Sequence, residues 1–378
     1  MNAVAKVTLQ FYRTAHELFV DSETLIEGTA ITFNREPNDP TNEFLSTFRD
    51  AGIKVETIAE HGRFDLSVIP ALRKIVEEFQ PDVVVTQSVK SHFLMWRSRL
   101  WKSYPWVAFH HGYTATDRKM RFYNRLDRWS LPKADRVVTV CRAFAHELEA
   151  ITGIPATEIA VQHNAIRPSA GPSGADIESL RQLHGLSDRE RIILSVGRLS
   201  KEKAQIDLIS AFAELCEIDP EERARLIIVG DGPERERLEA GAKNSSVGKK
   251  IIFTGQLRNA QPFFALADLF VLPSHSEGSP NVLLEAMAAK VPVIASAVGG
   301  VPEIVADEES ALLVSPGNPS AMAAAMNRLL SDPALARRLT EVASGLIARN
   351  HSPEGHTRSL LKLYREVVAQ RANQSAGQ

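Results

Sequence analysis

Two α/β domains, each organised on a parallel sheet of βα units, are the architecture this sequence predicts. Three observations carry the prediction. Short β-branched runs alternate with helical patterns along the whole 378-residue chain. In the second half each of these runs stops abruptly at small or polar residues, as strands do at the ligand edge of an open parallel sheet. The length, with 44% hydrophobic residues, exceeds what one ordinary core accommodates and suffices for two.

Taken in order, the first half predicts strands near residues 4–11, 29–33, 54–58, 83–86, 107–110, 136–140 and 159–162, with helices between them. Residues 168–175, PSAGPSGA, are rich in Pro, Gly and Ser and read as a linker or hinge. The second half predicts strands at 192–196 (IILSV), 225–229 (RLIIV), 251–254 (IIFT), 268–272 (DLFVL) and 292–296 (PVIAS). Their followers open with Gly197, Gly230, Gly255, Pro273 and Ala297, and all five turns gather at the carboxyl edge of the predicted sheet. Residues 318–349 predict an Ala/Leu/Arg-rich helix, Pro353 opens another, and the tail RANQSAGQ is expected to fray.

Composition excludes several functions. Lys+Arg 44 against Asp+Glu 46 gives a formal charge of -2, which does not describe a nucleic-acid-coated protein, and no nucleic acid is expected as a partner. Cys141 and Cys216 stand far apart, with no disulfide framework or zinc spacing, which fits a reducing compartment. The opening MNAVAKVTLQFYRTAHELF lacks a long apolar core and cleavage site, and no run approaches the ~18 apolar residues of a membrane span. A cytoplasmic location is therefore expected.

The stretch from Ser274 to Ala286, SHSEGSPNVLLEA, places Glu277 and Glu285 eight positions apart. Ser279 followed by Pro280 predicts a helix cap with proline in the first turn, the helix running to about Lys290. Glu277 then precedes the helix and Glu285 lies inside it. Free N–H groups at a helix start attract anions, and Gly278 lets a phosphate approach without a Cβ in the way. A carboxylate ahead of that start can accept hydrogen bonds from sugar hydroxyls, and one a turn and a half further on can reach a ribose. Sugar, phosphate and ribose in a row describe a nucleotide sugar.

The segment EGSPNVLLEA, 277–286, resembles the Glu, seven residues, Glu signature of the family 4 retaining glycosyltransferases. Four further family-like pieces stand in the same order: VGRLSKEK (196–203), VGDGPERERL (229–238), FTGQL (253–257) and AVGGVPEIV (297–305). The resemblance implies the GT-B architecture, two Rossmann-like β/α/β domains facing a central cleft. It implies an acceptor-side domain over 1–167, a nucleotide-sugar-binding domain over 168–350, and a C-terminal helix and tail, 351–378, packing back toward the first domain.

The same resemblance assigns residues. Arg198 and Lys203 match the basic pair on the donor diphosphate, where a guanidinium and an ammonium stabilise charge developing on the leaving group. Glu277 matches the contact to the transferred sugar, Glu285 the ribose ligand, and Gly278, Ser279, Pro280 and Asn281 the loop around sugar and phosphates. Gly197 and Gly230 join the donor-binding set, and Gly255 and Leu257 match the edge where backbone groups hold the base. Read alone, SKEK is a solvated loop, Gly255 and Leu257 a plain turn, and Asp231 a turn residue. In FHHG, 109–112, a histidine reaches the sugar from the first domain; His111 is favoured because it abuts Gly112, although alternation leaves His110 open. The Gly-Gly loop that the family carries after its first strand has its counterpart in Phe11–Glu17, FYRTAHE, which lacks glycine.

The implied activity is a retaining, hexosyltransferase-type transfer from a nucleotide-sugar donor to a glycan or lipid-linked acceptor in bacterial surface polysaccharide or glycolipid assembly. With no Asp-x-Asp and no clustered His or Cys, neither metal nor cofactor is expected. Between Lys90 and Arg136 eleven Lys or Arg stand against three Asp, with all four tryptophans interleaved, a composition suited to an anionic membrane surface on the inner face of the cell membrane. A nucleotide-sugar epimerase or phosphorylase on the same architecture, or a catalytically silent nucleotide-sugar-binding subunit, are the competing readings.

Overall fold

The computed structural model describes residues 3–19, 26–35, 43–62, 65–113, 118–168, 171–218 and 223–376, and within it the chain divides into two compact units. One comprises Met1–Asn164 and Pro353–Gln378; the other is Ala165–Ser352. Every strand pairing between named strands is parallel, as βα repetition requires.

The first unit holds β1 (Thr29–Asn34), β2 (Lys54–Ala59), β3 (Val84–Thr86), β4 (Trp106–His110), β5 (Arg136–Thr139) and β6 (Ile159–Val161). β1 pairs with β2, and β3-β4-β5-β6 form a second sheet in sequence order. β4 reads WVAFH and is buried at every position, because Trp106 and Ala108 enter one core while Val107 and Phe109 enter another on the opposite face. The second of these faces is covered by the helix Pro353–Ala376 through Leu360 and Val367. Arg371 fastens that helix, donating to Asp135 at 2.9 Å and to the carbonyl of Trp101 at 2.7 Å.

The second unit holds β7 (Arg191–Val196), β8 (Ala224–Val229), β9 (Ile251–Gly255), β10 (Leu269–Leu272), β11 (Val293–Ser296) and β12 (Leu312–Val314). Their order is β12-β11-β10-β7-β8-β9. Period-two alternation divides the strand residues: Ile193, Leu226, Ile228 and Val271 pack into one core, and Ile192, Leu194, Ile227 and Phe270 into the other. Both faces are apolar, so helices must cover both, and truncating a fully buried side chain such as Phe270 costs about 3–5 kcal/mol. The chain leaves β7 toward β8 on one side and later returns to lay β10 on its other side. That reversal makes the carboxyl ends of β7 and β10 the switch point of the sheet, where open α/β sheets bind their ligands.

Four sequence expectations are corrected. Residues 4–11 form no strand: Ala3–Phe19 is a helix, its exposed Lys6, Arg13, His16 and Glu17 recurring at helical spacing and its adjacent Thr14 and Ala15 both buried, which alternation does not allow. Phe11–Glu17 is therefore part of a helix and not the loop after the first strand; that loop follows β1, and its residues 36–42 lie outside the described residues. The 318–349 helix is two, Pro319–Ser331 and Pro333–Asn350, divided at Asp332, whose carboxylate accepts from the amides of Ala334 and Leu335. The final helix persists to Ala376, so most of the tail is helical. β12 was not anticipated, being only three residues long.

Candidate active site

The second unit builds its site where the sheet reverses. β7 ends at Val196, and the following turn carries Gly197, Arg198 and, in a short 3-10 helix over Lys201–Lys203, Lys203. β10 is hydrogen-bonded beside β7, so the loop after β10, which carries Glu277, emerges next to that turn. The two loops meet in an ion pair: Lys203 Nζ donates to Glu277 Oε1 at 2.7 Å. Ser274 Oγ donates to the same oxygen at 2.6 Å. The Glu277 side chain is only 5% exposed, and a carboxylate so deep is tolerated because an ammonium and a hydroxyl both reach it. Arg198 is exposed on the same turn. Burial works against the charge of Glu202, yet Ser200 and the neighbouring Arg198 and Lys203 cations hold its pKa below the ordinary value.

Two further contacts fasten the loops. His275 donates its backbone N–H to the Glu202 carbonyl at 2.8 Å, and its Nε2 lies 2.7 Å from Asp207 Oδ2. Gly299, at φ +52°, lies so close to the Glu277 carbonyl that a Cβ would stand 1.8 Å from its oxygen. Gly300 N–H donates to that same carbonyl at 3.2 Å. Thus the loop after β11 supports the loop after β10 from behind.

The helix expected after Ser279 begins one residue later. It spans Asn281–Ala288, with Pro280 at its N-cap, and Ser279 is not the cap; proline's fixed φ suits the entry but leaves no capping oxygen. Ser279 and Pro280 are buried, and Gly278, Asn281 and Glu285 are half-buried. Asn281 Oδ1 is buried without a hydrogen-bond partner, a polar atom left for something else to satisfy. Gly230, at the end of β8, has φ +146° and a Cβ there would meet the Gly197 carbonyl at 1.9 Å. Its N–H donates to Gly255 at the end of β9, so these glycines fix how closely the three turns stack. Leu257 is exposed just beyond. Asp231 is a turn residue, accepting from Gly232 N–H at 2.7 Å and pairing with Arg235 at 3.0 Å.

In the first unit, β4 ends at His110. That side chain is buried, with Nδ1 3.4 Å from Asp127 Oδ2, while His92 Nδ1 lies 2.6 Å from the other oxygen. Burial opposes the Asp127 charge, but hydrogen bonds from His110 and His92 hold its pKa well below the usual carboxylate range. Burial, then the Asp127 charge, pushes the Tyr113 hydroxyl pKa up. His111 points elsewhere: it is exposed, and its Nε2 sits 3.1 Å from Gln87 Oε1, within hydrogen-bond reach. Loss of hydration, then the proximity of His110 and His92, lowers the His111 pKa to about 4, so its ring is neutral near pH 7. Gly112, at φ +90°, turns the chain over the Phe144 ring, which a Cβ would approach to 2.4 Å.

The structure thus brings Lys203 and Glu277 into direct contact, sets Gly197, Arg198, Gly230, Gly255, Leu257, Gly278–Asn281 and Glu285 on the turns and helix start around the same sheet edge, and places His111 in the other unit. Sequence reading missed Ser274, Gly299 and the Asp127 clamp. Ser274 stands three residues before Glu277 and was within sight; the others depend on contacts between distant segments. Among the described residues no group of three His, Cys, Asp or Glu side chains gathers as metal ligands, and no helix is long and apolar enough to cross a membrane.

Comparison with known proteins matches both halves. Residues 176–345 fit the family model described as Glycosyl transferases group 1, and residues 26–170 fit Glycosyltransferase Family 4. N-acetyl-alpha-D-glucosaminyl L-malate synthase of Bacillus anthracis is 29% identical over 246 residues, 65% of this chain and 63% of that protein. D-inositol 3-phosphate glycosyltransferase of Acidothermus cellulolyticus is 34% identical over 248 residues, 63% of this chain and 54% of that protein. The chain spans less than two thirds of the length of these relatives. Among solved structures, Anabaena Alr3699/HepE in complex with UDP-glucose superposes with a TM-score of 0.81 at 18% identity, covering 97% of this chain and 96% of that one. A glycosyltransferase from Rickettsia africae gives 0.78 at 18% identity, over 96% and 94%. With the two models occupying consecutive stretches and the fold shared end to end, the chain belongs to the family 4 glycosyltransferases and has their GT-B architecture of two Rossmann-like domains.

Proposed function

We propose that this protein transfers a sugar from a nucleotide-diphosphate donor to a glycan or lipid-linked acceptor with retention of anomeric configuration and without a metal, in bacterial surface polysaccharide or glycolipid assembly. The observation that carries the reading is the Lys203–Glu277 pair at the sheet reversal, with Arg198 on the same turn and Asn281 Oδ1 unsatisfied at the adjoining helix start. A diphosphate suits Lys203 and Arg198, a sugar hydroxyl suits Glu277, and Glu285 faces the ribose from within the helix. The turn beyond Gly255 and Leu257 is left for the base, and uridine is the base to test first because the Anabaena neighbour is in complex with UDP-glucose.

In the proposed reaction the bond from the anomeric carbon to the phosphate oxygen breaks, and charge grows on the leaving diphosphate opposite Arg198 and Lys203. The acceptor oxygen bonds to the same face, and its proton passes to a phosphate oxygen of the leaving group. Glu277 holds the sugar hydroxyls rather than attacking, and His111 is given a hydrogen bond to the sugar by the family resemblance alone. Names of relatives such as the lipopolysaccharide core biosynthesis glycosyltransferase of Rhizobium meliloti support the acceptor class, and a cytoplasmic site at the inner membrane face follows from it. The test is incubation with a panel of nucleotide sugars, with and without lipid-linked and soluble glycan acceptors. Acceptor-dependent formation of an α-linked product from an α-linked donor is expected. Sugar isomerisation without acceptor, or binding without turnover, would replace this reading.

A further inference from the structure

We infer that the outer face of the helices Val89–Arg97 and Arg118–Ser130 is a docking surface for an anionic lipid bilayer, which deepens the lipid-linked acceptor reading above by naming where the protein would meet the membrane. The second helix is packed inside out. Its polar Asn124 and Asp127 are buried, whereas Phe122 is 53% and Trp129 65% exposed. Asp127 explains the inward polar face, because it holds His92 and His110. Nothing in the unit's own core explains an outward Trp129, and large aromatics are turned to solvent only at a cost unless something covers them.

The exposed ring does not stand alone. Trp129 lies 4.9 Å from Trp96, centroid to centroid, and Trp96 lies 5.9 Å from Phe93, so one aromatic row crosses both helices. The structure separates this row from the rest of the segment's aromatics: Trp106 is fully buried, its Nε1 donating to Thr86, and Trp101 lies under Lys102 and Lys133. Arg97, Arg121 and Arg125 are all exposed on the same two helices. Across residues 89–113 and 118–130 the one carboxylate is Asp127, buried and already engaged. A row of Trp and Phe rimmed by arginines on helices whose own described residues carry no exposed carboxylate matches the headgroup zone of an anionic bilayer, where indoles sit at the polar boundary and cations meet lipid phosphates; Glu60, an acid that reaches these helices from another segment, is paired with Lys90.

The experiment uses the full chain and vesicles of phosphatidylcholine alone or mixed with phosphatidylglycerol. Wild type is expected to co-sediment with the mixed vesicles, to release as salt rises, and to show a blue shift of its tryptophan emission. Arg97→Gln, Arg121→Gln and Arg125→Gln together should cut partitioning by about a hundredfold, at about a fivefold loss per cation. Phe122→Ser with Trp129→Ser should cut it by at least about tenfold. Both variants should remain folded and keep wild-type nucleoside diphosphate affinity, a readout that belongs to the donor site and not to this face; the aromatic variant should melt slightly lower through loss of the Trp96–Trp129 contact. Equal binding to neutral and mixed vesicles, no binding at low salt, or variants that sediment like wild type would overturn the inference. A dimer that the aromatic variant turns into a monomer, or tighter binding to single-stranded nucleic acid than to vesicles, would assign the face to another partner and overturn it equally. Loss of nucleotide binding by wild type would count against the proposed transfer reaction instead.

Discussion

Glu277→Gln is expected to bind a free nucleoside diphosphate more tightly than wild type while losing most of its turnover. In the free protein Lys203 is already engaged, 2.7 Å from a carboxylate that is 5% exposed. An incoming diphosphate therefore competes with Glu277 for the ammonium. A hydrogen bond involving a charged group contributes about 1.5–3 kcal/mol. Gln keeps an acceptor oxygen for Lys203 and Ser274 but removes the charge, which releases part of that sum, on the order of 1 kcal/mol, to the diphosphate. The dissociation constant should fall by about fivefold. Transfer should suffer in the opposite sense, because the anionic hold on the sugar is lost, by about 2–4 kcal/mol of transition-state stabilisation. Calorimetric titration with the nucleoside diphosphate and steady-state turnover measure the two effects separately. A weaker nucleotide complex in the variant would refute the idea that Lys203 is shared between Glu277 and the donor.

Lys203→Ala should reduce kcat/KM by a similar 2–4 kcal/mol and also lower the melting temperature, since a buried carboxylate loses its cation at a cost of about 1–3 kcal/mol. Gly299→Ala should misplace Glu277 or unfold its loop, given a Cβ 1.8 Å from a carbonyl oxygen, whereas Gly241→Ala, in a helix with its nearest neighbour at 3.4 Å, should stabilise by about 0.5–1 kcal/mol; thermal melts of the pair decide. His111, lowered to about 4, favours folding in its neutral form, so its contribution is full above its ordinary value of 6.5 and is lost as pH falls toward 4. His184, also lowered by burial, titrates in the same direction, so the quantity to measure is the wild-type minus His111→Gln difference in denaturation midpoint between pH 7 and pH 5, which should be positive at pH 7 and shrink at pH 5. Chelation with EDTA should leave transfer unchanged; activity abolished by EDTA and restored by Mg²⁺ or Mn²⁺ would end the metal-independent proposal.

The second unit was legible because its chemistry follows its strands. Five β-branched runs with abrupt small-residue ends mark the sheet edge, and Lys203 and Glu277 each lie a few residues beyond one of them. Adjacency of β7 and β10 was not in the pattern, since strand order is set by packing of covering helices and not by local propensity. The N-terminal segment misled for a definite reason: Val7, Leu9 and Phe11 form an alternating apolar run, and the helical spacing that wins shows in the exposure of Lys6, Arg13, His16 and Glu17 and the burial of the neighbours Thr14 and Ala15. The Asp127 clamp was out of reach, because nothing local distinguishes a buried aspartate from the exposed arginines around it.

The path of the backbone between the two units sets an order of events during synthesis. The polypeptide leaves the first unit after Asn164, builds the whole of the second, and only then supplies Pro353–Ala376 to the first. The second unit is contiguous and can complete its cores as it leaves the ribosome. The first must wait with Val107, Phe109 and Val138 uncovered until Leu360 and Val367 arrive, after the whole of the second unit has been made. A stop just before residue 353 would therefore leave a finished second unit tethered to a first unit with an open apolar sheet face, a species whose fate is aggregation or degradation more than partial activity.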